Sequence, residues 1–428
     1  MVYHRPGELI SESGVLRHSL ADIYSRSGLP AKIHGLRHLR IAPQLFRQDR
    51  RDYGDQSAWP SERNSSEKSM AMQLPPLPYT PDAEDLRDDE AATISKLNDT
   101  FDEILETTSQ DYGHAVRAVH AKAHGILEGE FTVLPGLPPE LAQGLFAAPG
   151  SHRAILRMST NPGDILDDAI SVPRGIALKL LDVAGERLPG AEGATQDFIM
   201  INGPVFSVPN AEKFVGNLQL LAKTTDRAEG AKVATSKVLQ VINAALGSVG
   251  LESTKLAGLG GAPQVDPLGE TYFSVTPFRY GEYIAKFRLR PLCPALTALT
   301  GTTIDTKHRR NAIRETLREE MAGIDGEWAF EVQLQRDADK QPIEDASVEW
   351  KEGDAPFVQV ATLRMPSQDS WEEAKVRAVD EGMRFSVWTG LAAHRPLGNI
   401  NRARRDTYRH SADFRGSTNR CPIHEPAA

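Results

Sequence analysis

The sequence predicts an α+β protein in which eight strands form one antiparallel barrel with helices around it. Three observations support this. The chain contains eight short β-like runs, several of these runs alternate apolar and polar residues, and helical stretches stand between them. Residues 73–428 are predicted to form this folded domain, and residues 1–72 an N-terminal arm that is either flexible or a translated leader.

The arm differs in composition from the rest of the chain. It carries scattered arginines and few apolar clusters, and it ends in a Ser/Asn/Glu-rich stretch near Ser61–Ser69. Met70 and Met72 then precede the proline-rich segment Leu74–Tyr79, which is typical of the extended start of a domain.

One amphipathic helix is predicted to open the folded part. Between Thr93 and Thr107 the apolar residues recur at helical spacing, at Ile94, Leu97, Phe101, Ile104 and Leu105. Two further helical stretches are predicted, over residues 211–246 and Lys307–Met321. Gly258–Gly261 is interpreted as a loop, since this glycine-rich stretch follows helix-like sequence.

The strands are predicted in two groups of four, separated by the helical stretch at 211–246. They are Ile126–Val133, Ala154–Ser159, Ile176–Leu181, Phe198–Ile201, Thr271–Pro277, Tyr283–Leu289, Trp328–Gln335 and Phe357–Leu363. In the sixth run, Tyr283, Ala285, Phe287 and Leu289 alternate with polar neighbours, as in a sheet with two unlike faces. Strands grouped in this way favour antiparallel pairing over a parallel doubly wound sheet.

Charge and cysteine content exclude several classes of function. The 49 basic and 58 acidic residues give a net charge of −9, whereas a dedicated nucleic-acid-binding protein is usually basic. Two cysteines, Cys293 and Cys421, are too few for a disulfide framework and agree with a reducing compartment. No run approaches the roughly 18 apolar residues of a membrane helix. We therefore predict a soluble, cytoplasmic protein without nucleic-acid partners.

Candidate site residues occur in four separate segments. After Pro396, a helix would place Arg404, Tyr408 and Arg415 within about 40° of one line along its surface. A solvent-facing basic helix is the alternative interpretation of that pattern. The three other segments are Arg117–Lys122, Leu156–Thr160 and Asp197–Phe206.

These segments resemble the haem catalases and the shorter catalase-related proteins, which include catalase-like peroxidases and allene oxide synthases. The family carries Arg-Val-Val-His-Ala-Lys, Arg-Phe-Ser-Thr, Asp-Pro-Arg-Gly-Phe-Ala and Asn-Thr-Pro-Val-Phe in this order. The chain has Arg117–Lys122, Arg157–Thr160, Val172–Ala177 and Asn202–Phe206 in the same order. The resemblance spans about Glu90 to Arg415 and implies a catalase-like barrel that binds haem b.

The resemblance implies a catalytic set on one face of the haem. His120 corresponds to the distal histidine, Ser159 to the serine bonded to its other nitrogen, and Asn202 to the polar residue beside it. A histidine near neutral pH can take a proton from a peroxide and return it to the leaving oxygen, and it does so best when a partner fixes its tautomer. An amide can orient the bound peroxide.

On the opposite face, the resemblance makes Tyr408 the iron ligand, with Arg404 four residues before it. A phenol has a pKa of about 10, so binding as phenolate at neutral pH needs a neighbouring cation. Tyrosine is the iron ligand in catalases. The remaining cofactor contacts implied are Arg117, Arg157 and Arg415 at the haem propionates and Phe214 against the porphyrin.

Two features of the chain bear on which branch of the family it resembles. The motif Tyr-Pro-Asp-Thr-His-Arg and the long C-terminal tail of full-sized catalases are absent, and His394–Arg404 resembles the shorter branch. Val119 before His120 is the catalase residue, where allene oxide synthases have threonine. The expected function is cleavage of the O–O bond of hydrogen peroxide or organic hydroperoxides.

The sequence leaves three alternatives to this function open. The first is rearrangement of fatty-acid hydroperoxides, the second is haem binding without turnover, and the third is an unrelated α+β protein without a cofactor. A homo-oligomer is compatible with the family precedent. A zinc site at His120, His124 and Glu128 is disfavoured, because Gly125 and Gly129 would interrupt the helix that it needs.

Overall fold

The computed structural model describes residues 73–224 and 264–426. Three expectations fall outside these residues, namely the arm over residues 1–72, the second half of the helical stretch at 211–246, and the loop Gly258–Gly261. No helix of the described residues is long and apolar enough to cross a lipid bilayer.

The described chain forms one sheet of nine strands with antiparallel pairing throughout. The strands are β1 Ala123–Val133, β2 Gly150–Thr160, β3 Arg174–Leu180, β4 Gln196–Ile201, β5 Tyr272–Phe273, β6 Phe278–Tyr280, β7 Tyr283–Pro291, β8 Gly326–Leu334 and β9 Val358–Met365. Eight of these strands form a closed barrel, since β5 pairs with both β4 and β7, and β1 pairs with both β2 and β9.

The predicted barrel is thus confirmed, and each of the eight predicted runs overlaps one strand of the ring. The bounds differ most at β5, which has two residues where the run Thr271–Pro277 was predicted. The short strand β6, which pairs with β7 outside the ring, was not predicted.

Aromatic rings fill the interior of the barrel. Phe198 of β4 lies 4.8 Å from Phe330 of β8 and 5.0 Å from Phe287 of β7, measured between ring centroids. Phe131 of β1 lies 5.1 Å from Phe330. All four rings are at most 1% exposed, and burying each contributes roughly 1.5–3 kcal/mol. Because these side chains occupy the centre, a ligand of cofactor size has to bind on the outside of the barrel.

The helices cover the outside. They are α1 Glu90–Tyr112, α2 Ala211–Thr224, α3 Pro294–Thr297, α4 Ala312–Met321, α5 Glu373–Val376 and α6 Asn399–Asn419. A five-residue π-helical turn, Arg377–Glu381, continues α5. The predicted helix at Thr93–Thr107 extends further at both ends, to Glu90 and Tyr112, and Thr93, Thr100 and Thr108 are buried beside its apolar residues.

Helices α1, α2 and α6 pack on one another in a second apolar cluster. It is formed by Leu97, Phe101, Ile104 and Leu105 of α1, Ala211, Val215 and Leu218 of α2, Ala403 of α6, and Ala118. Ala118 lies in the loop between α1 and β1, so this cluster holds the loop and the C-terminal helix together beside the barrel.

Candidate functional site

A pocket lies on the outer face of the barrel, against β2, β3 and β4. Arg157, Ala177 and Ile199 are cross-strand neighbours in these three strands, and all three line it. Phe198, the neighbour of Ile199 in β4, packs inside the barrel against Phe287 and Phe330. Since successive side chains of a strand point to opposite faces, Ile199 faces the pocket on the other side of the sheet from these rings.

Helices and loops form the other walls. Phe101 comes from α1, Tyr408 and Arg415 come from α6, and Arg384 and Phe385 follow the π-helical turn. The empty space is about 690 Å³, counting the part that opens to solvent.

His120 occupies one side of this pocket in a strained backbone conformation. Its φ of 54° lies in the left-handed region, and its backbone N–H donates to Asn161 O at 2.7 Å. The imidazole lies directly over Gly175 of β3. A Cβ atom at position 175 would come within 2.4 Å of His120 Cε1, so a side chain there would displace the ring.

The hydrogen bonds around Ser159 fix the tautomer of His120. Nδ1 of His120 lies 3.1 Å from Oγ of Ser159, and that hydroxyl donates to Gly175 O at 3.3 Å. A serine hydroxyl has one proton, and a carbonyl only accepts. Nδ1 of His120 therefore carries the proton, and Nε2 has a free lone pair.

Burial and neighbouring cations keep His120 neutral. Desolvation, followed by repulsion from Arg157, Arg404 and Arg117, lowers the pKa of His120 to about 3. The imidazole is therefore uncharged across the physiological pH range, and it is available as a proton acceptor.

Three arginines converge on one residue, Asp380 of the π-helical turn: two bind its carboxylate and the third binds its backbone carbonyl. Arg117 Nη1 and Arg157 Nε lie 2.6 and 2.8 Å from Asp380 Oδ1, and Arg415 Nη1 donates to the Asp380 carbonyl at 3.2 Å. Burial would raise the pKa of Asp380, but attraction to Arg157 and Arg117 outweighs it and the pKa is lowered. The cluster therefore carries 3 − 1 = 2 net positive charges.

Burial and crowding lower the pKa values of Arg117 and Arg415, but a guanidinium group stays protonated at neutral pH. Desolvation, followed by repulsion from Arg415 and Arg157, lowers the pKa of Arg117. Desolvation likewise lowers the pKa of Arg415 to about 10, although Asp380 offsets part of that effect. An excess of buried positive charge at one end of a pocket favours an anionic ligand group.

Tyr408 lines the same pocket as His120 and is half-buried on α6. No described group makes a hydrogen bond to its hydroxyl. Arg404, one turn earlier on α6, donates to Asn401 Oδ1 at 3.2 Å and to Thr276 Oγ1 at 3.4 Å. Arg404 is not among the residues that line the pocket, although its charge acts on His120.

Two further residues named from the sequence lie outside the pocket lining. Asn202 follows β4, where its Oδ1 accepts from Arg174 N at 2.8 Å and its Nδ2 donates to Glu270 Oε1 at 2.7 Å. Phe214 packs on Phe206, with ring centroids 5.2 Å apart, at the edge of the helical cluster. Six of the nine named residues thus line one pocket: His120, Ser159, Arg117, Arg157, Arg415 and Tyr408.

Sequence analysis missed Asp380 and Arg384. Asp380 stands in a segment without strand or helix periodicity, and a π-helical turn has no reliable sequence signature. Arg384 lines the pocket and pairs with Glu192 at 2.8 Å and Glu425 at 3.0 Å, two carboxylates distant in sequence. Among the described residues, no three His, Cys, Asp or Glu side chains are grouped so as to hold a metal ion directly.

Comparison with known proteins gives structural neighbours only. No protein-family model matches the chain, and no curated protein matches it. Among the solved structures to which it is similar are catalases.

Three of these catalases illustrate the likeness. A fungal catalase is 15% identical, and the match covers 75% of this chain and 65% of the catalase, slightly less than two thirds. Catalase A from Saccharomyces cerevisiae is 15% identical over 85% of this chain and 74% of its own, and a bacterial catalase is 16% identical over 84% and 67%. Each TM-score is 0.49. At these values the catalases carry no argument about chemistry, which has to come from the pocket itself.

Proposed function

We propose that this chain binds haem b in the pocket and cleaves the O–O bond of hydrogen peroxide or organic hydroperoxides, as a catalase or peroxidase. The observation that carries the proposal is that His120 and Tyr408, 288 positions apart, line one pocket with a triple-arginine cluster at its end. The catalases named above agree with the proposal only in fold.

The residues present fit a haem. Its apolar ring suits walls such as Phe101, Ile176 and Ile199, and its two propionates match the excess of two positive charges around Asp380. The Tyr408 hydroxyl has no described partner and is free to bind iron. When bound, haem supplies a ferric iron that coordinates a peroxide oxygen and exchanges electrons with it.

Tyr408 would have to lose its proton to act as ligand. A phenol has an ordinary pKa of about 10, so a cation is needed to favour the phenolate at neutral pH. Arg404 is one turn away on α6, and its present hydrogen bonds, at 3.2 and 3.4 Å, are long enough to be exchanged for one to a phenolate.

His120 would move the proton of the peroxide. Its Nε2 lone pair accepts the proton from one peroxide oxygen and returns it to the oxygen that leaves. Ser159 keeps the other ring nitrogen protonated, so the same nitrogen serves both steps. Binding two propionates beside Arg117 and Arg157 would offset the positive field on His120 and bring its pKa closer to the ordinary value.

Asn202 has a less direct part in this proposal. Its amide is bonded to Arg174 and Glu270, which hold it at the end of β4. Orienting a peroxide would require exchange of one of these bonds. The role of Asn202 in orienting a peroxide therefore remains a prediction. The contact of Phe214 with the porphyrin, the cytoplasmic location and the homo-oligomer remain predictions as well.

The electronic spectrum of haem-reconstituted protein tests the assignment of the iron ligand. Wild type is expected to show a high-spin ferric spectrum with phenolate ligation that Tyr408→Phe abolishes, whereas Tyr283→Phe, a half-buried tyrosine of β7, leaves it unchanged. His120→Ala is expected to keep the spectrum and to lose peroxide turnover. An unchanged spectrum in Tyr408→Phe would show that Tyr408 is not the iron ligand.

Turnover assays separate the proposed activity from its alternatives. Oxygen evolution from hydrogen peroxide, or oxidation of a dye donor faster than with free haemin, supports a catalase or peroxidase. Turnover only of a lipid hydroperoxide, followed by its diene absorbance, would instead indicate a rearranging enzyme. Rates no higher than those of free haemin would indicate haem binding without turnover.

A further inference from the structure

Three lysines are almost fully buried in the described part of the chain, and two of them are fully partnered. Lys122 donates to Leu166 O, Asp168 Oδ1 and Arg310 O, each at 2.7 Å. Lys179 forms ion pairs with Asp197 at 2.7 Å and Glu425 at 2.5 Å. These two ammonium groups are satisfied as buried charges normally are.

Lys286, on the outer face of β7, is different. Its relative exposure is 4%, yet its Nζ makes one long hydrogen bond, to Val348 O at 3.5 Å, and forms no ion pair with a described residue. Its other close neighbour is the ring of Trp350, whose centroid lies 4.7 Å from Nζ. Two of the three N–H donors of the ammonium group therefore have no hydrogen-bond partner among the described residues.

This amine faces a second pocket, of about 440 Å³ counting its open part. Its walls combine the aromatic residues Phe273, Trp350 and Phe357 with the polar residues Gln333, Glu349 and Glu352. Phe273 and Phe357 are in edge contact, with ring centroids 6.0 Å apart. None of the residues that line this pocket lines the pocket of His120 and Tyr408.

The fold holds this pocket in place. Gln333 of β8 is the cross-strand partner of Lys286, and its amide donates to Trp350 O and Ala355 O, each at 2.7 Å. These bonds fix the segment that follows β8 over the amine. The position of Lys286 among the rings is thus set by the sheet register.

The surroundings favour the uncharged amine. Desolvation lowers the pKa of Lys286 to about 7, although Glu349 and Asp345 act in the opposite direction. Glu352, the other carboxylate that lines the pocket, is paired with Arg288 at 2.6 Å. A desolvated lysine that is neutral near pH 7 is nucleophilic.

We propose that Lys286 is a covalent carbonyl-binding site, at which Nζ forms an imine with an apolar aromatic aldehyde held between Trp350, Phe273 and Phe357. The Nζ lone pair attacks the carbonyl carbon as the C=O π bond opens, which gives a carbinolamine. Its oxygen then leaves as water, whose two protons come in net terms from the two N–H bonds of the neutral amine, and a C=N bond remains. No oxidant or reductant is needed. The aldehyde is apolar because the walls are aromatic, and an anionic one is disfavoured by Glu349.

Reductive trapping tests this site independently of haem binding. The full chain is incubated at pH 7.5 with benzaldehyde and sodium cyanoborohydride, and adducts are located by peptide mass spectrometry. Lys286 is expected to be modified at least about tenfold faster than Lys340. Lys340 is the internal control, because its side chain is 57% exposed and its Nζ is bound to Asp354 at 2.6 Å.

Two further comparisons test recognition by the pocket. Glyoxylate, an anionic aldehyde, is expected to modify Lys286 at least tenfold more slowly than benzaldehyde does. Phe357→Ala is expected to slow benzaldehyde modification of Lys286 and to leave Lys340 unaffected. Equal rates at Lys286 and Lys340 in wild type would overturn the proposal, and so would equal rates for the two aldehydes.

Discussion

Oδ1 of Asp380 lies 2.8 Å from Nε of Arg157, and this contact ties the turn after α5 to the outer face of the barrel. This contact between Arg157 and Asp380 could not be predicted from the sequence, because the two residues are 223 positions apart. Asp380 also accepts from Arg117, so one carboxylate holds two buried guanidinium groups.

Replacement of Asp380 by asparagine is therefore expected to destabilise the protein without haem. Removing one partner of a buried ion pair leaves the other charge uncompensated, which costs about 3–5 kcal/mol. Asp380 is partly accessible, with 20% of its side chain exposed, so we expect about 2–3 kcal/mol of lost unfolding free energy. Urea denaturation of the apoprotein measures it.

Asp354→Asn is the matched control for that variant. Asp354 pairs with Lys340 at the surface, where ion pairs contribute about 1 kcal/mol or less. If Asp380→Asn and Asp354→Asn shift the urea midpoint equally, the arginine cluster does not depend on Asp380.

Replacement of Gly175 by alanine should disturb His120 directly. The added Cβ would lie 2.4 Å from the His120 ring, so the imidazole has to move. We expect at least a tenfold loss of peroxide turnover with haem still bound, together with a destabilisation of about 1–3 kcal/mol. Gly150→Ala, where a Cβ meets nothing within 4 Å, is the control. Full turnover in Gly175→Ala would show that the position of His120 is unimportant.

Replacement of Ser159 by alanine should act through the tautomer of His120. Without the Oγ partner at 3.1 Å, the imidazole proton is no longer fixed on Nδ1. We expect kcat for peroxide to fall by about tenfold, with a shifted pH profile and an unchanged haem spectrum. The exposed Ser367→Ala serves for comparison. A pH profile identical to that of wild type would leave Ser159 with a structural role only.

His394 should make stability depend on pH. It is fully buried, its Nε2 accepts from Leu145 N at 3.0 Å, and burial lowers its pKa to about 4. Between its unfolded pKa of about 6.5 and 4, the unfolded chain binds the proton that the folded chain does not. Stability is therefore complete above pH 6.5 and falls by about 1.4 kcal/mol per unit as the pH drops towards 4.

Denaturation midpoints between pH 7 and 4.5 measure this slope in wild type and in His394→Gln. The amide oxygen of glutamine can accept from Leu145 N without titrating, so the variant should have a shallower slope. Parallel slopes in the two proteins would mean that His394 titrates alike in the folded and unfolded chain.

The strands of the barrel were predictable because their signal is local. Alternation from Tyr283 to Leu289 fixes both the strand and its buried face, and Phe287 does lie in the core. The two-residue strand β5 and the three-residue strand β6 are defined by their partners and not by periodicity. Their bounds could therefore not be obtained from sequence.

The candidate site also contains some residues that a local sequence motif identifies and others that only the fold brings together. His120, Ser159 and Tyr408 could be named from motifs whose order matches a known family, and they do line one pocket. Asp380 could not be named, because it acts through charge brought close only by the fold. Asn202 was named, yet its amide is bonded to Arg174 at the start of β3 and to Glu270 before β5, two partners distant in sequence.

The filled interior of the barrel has a consequence for how this protein can change. Rings such as Phe198 and Phe330 fill the interior, whereas the two pockets open on the outside of the barrel and share no lining residue. Substitutions in those outer layers can therefore alter ligand preference independently at the two positions, while the aromatic scaffold stays the same.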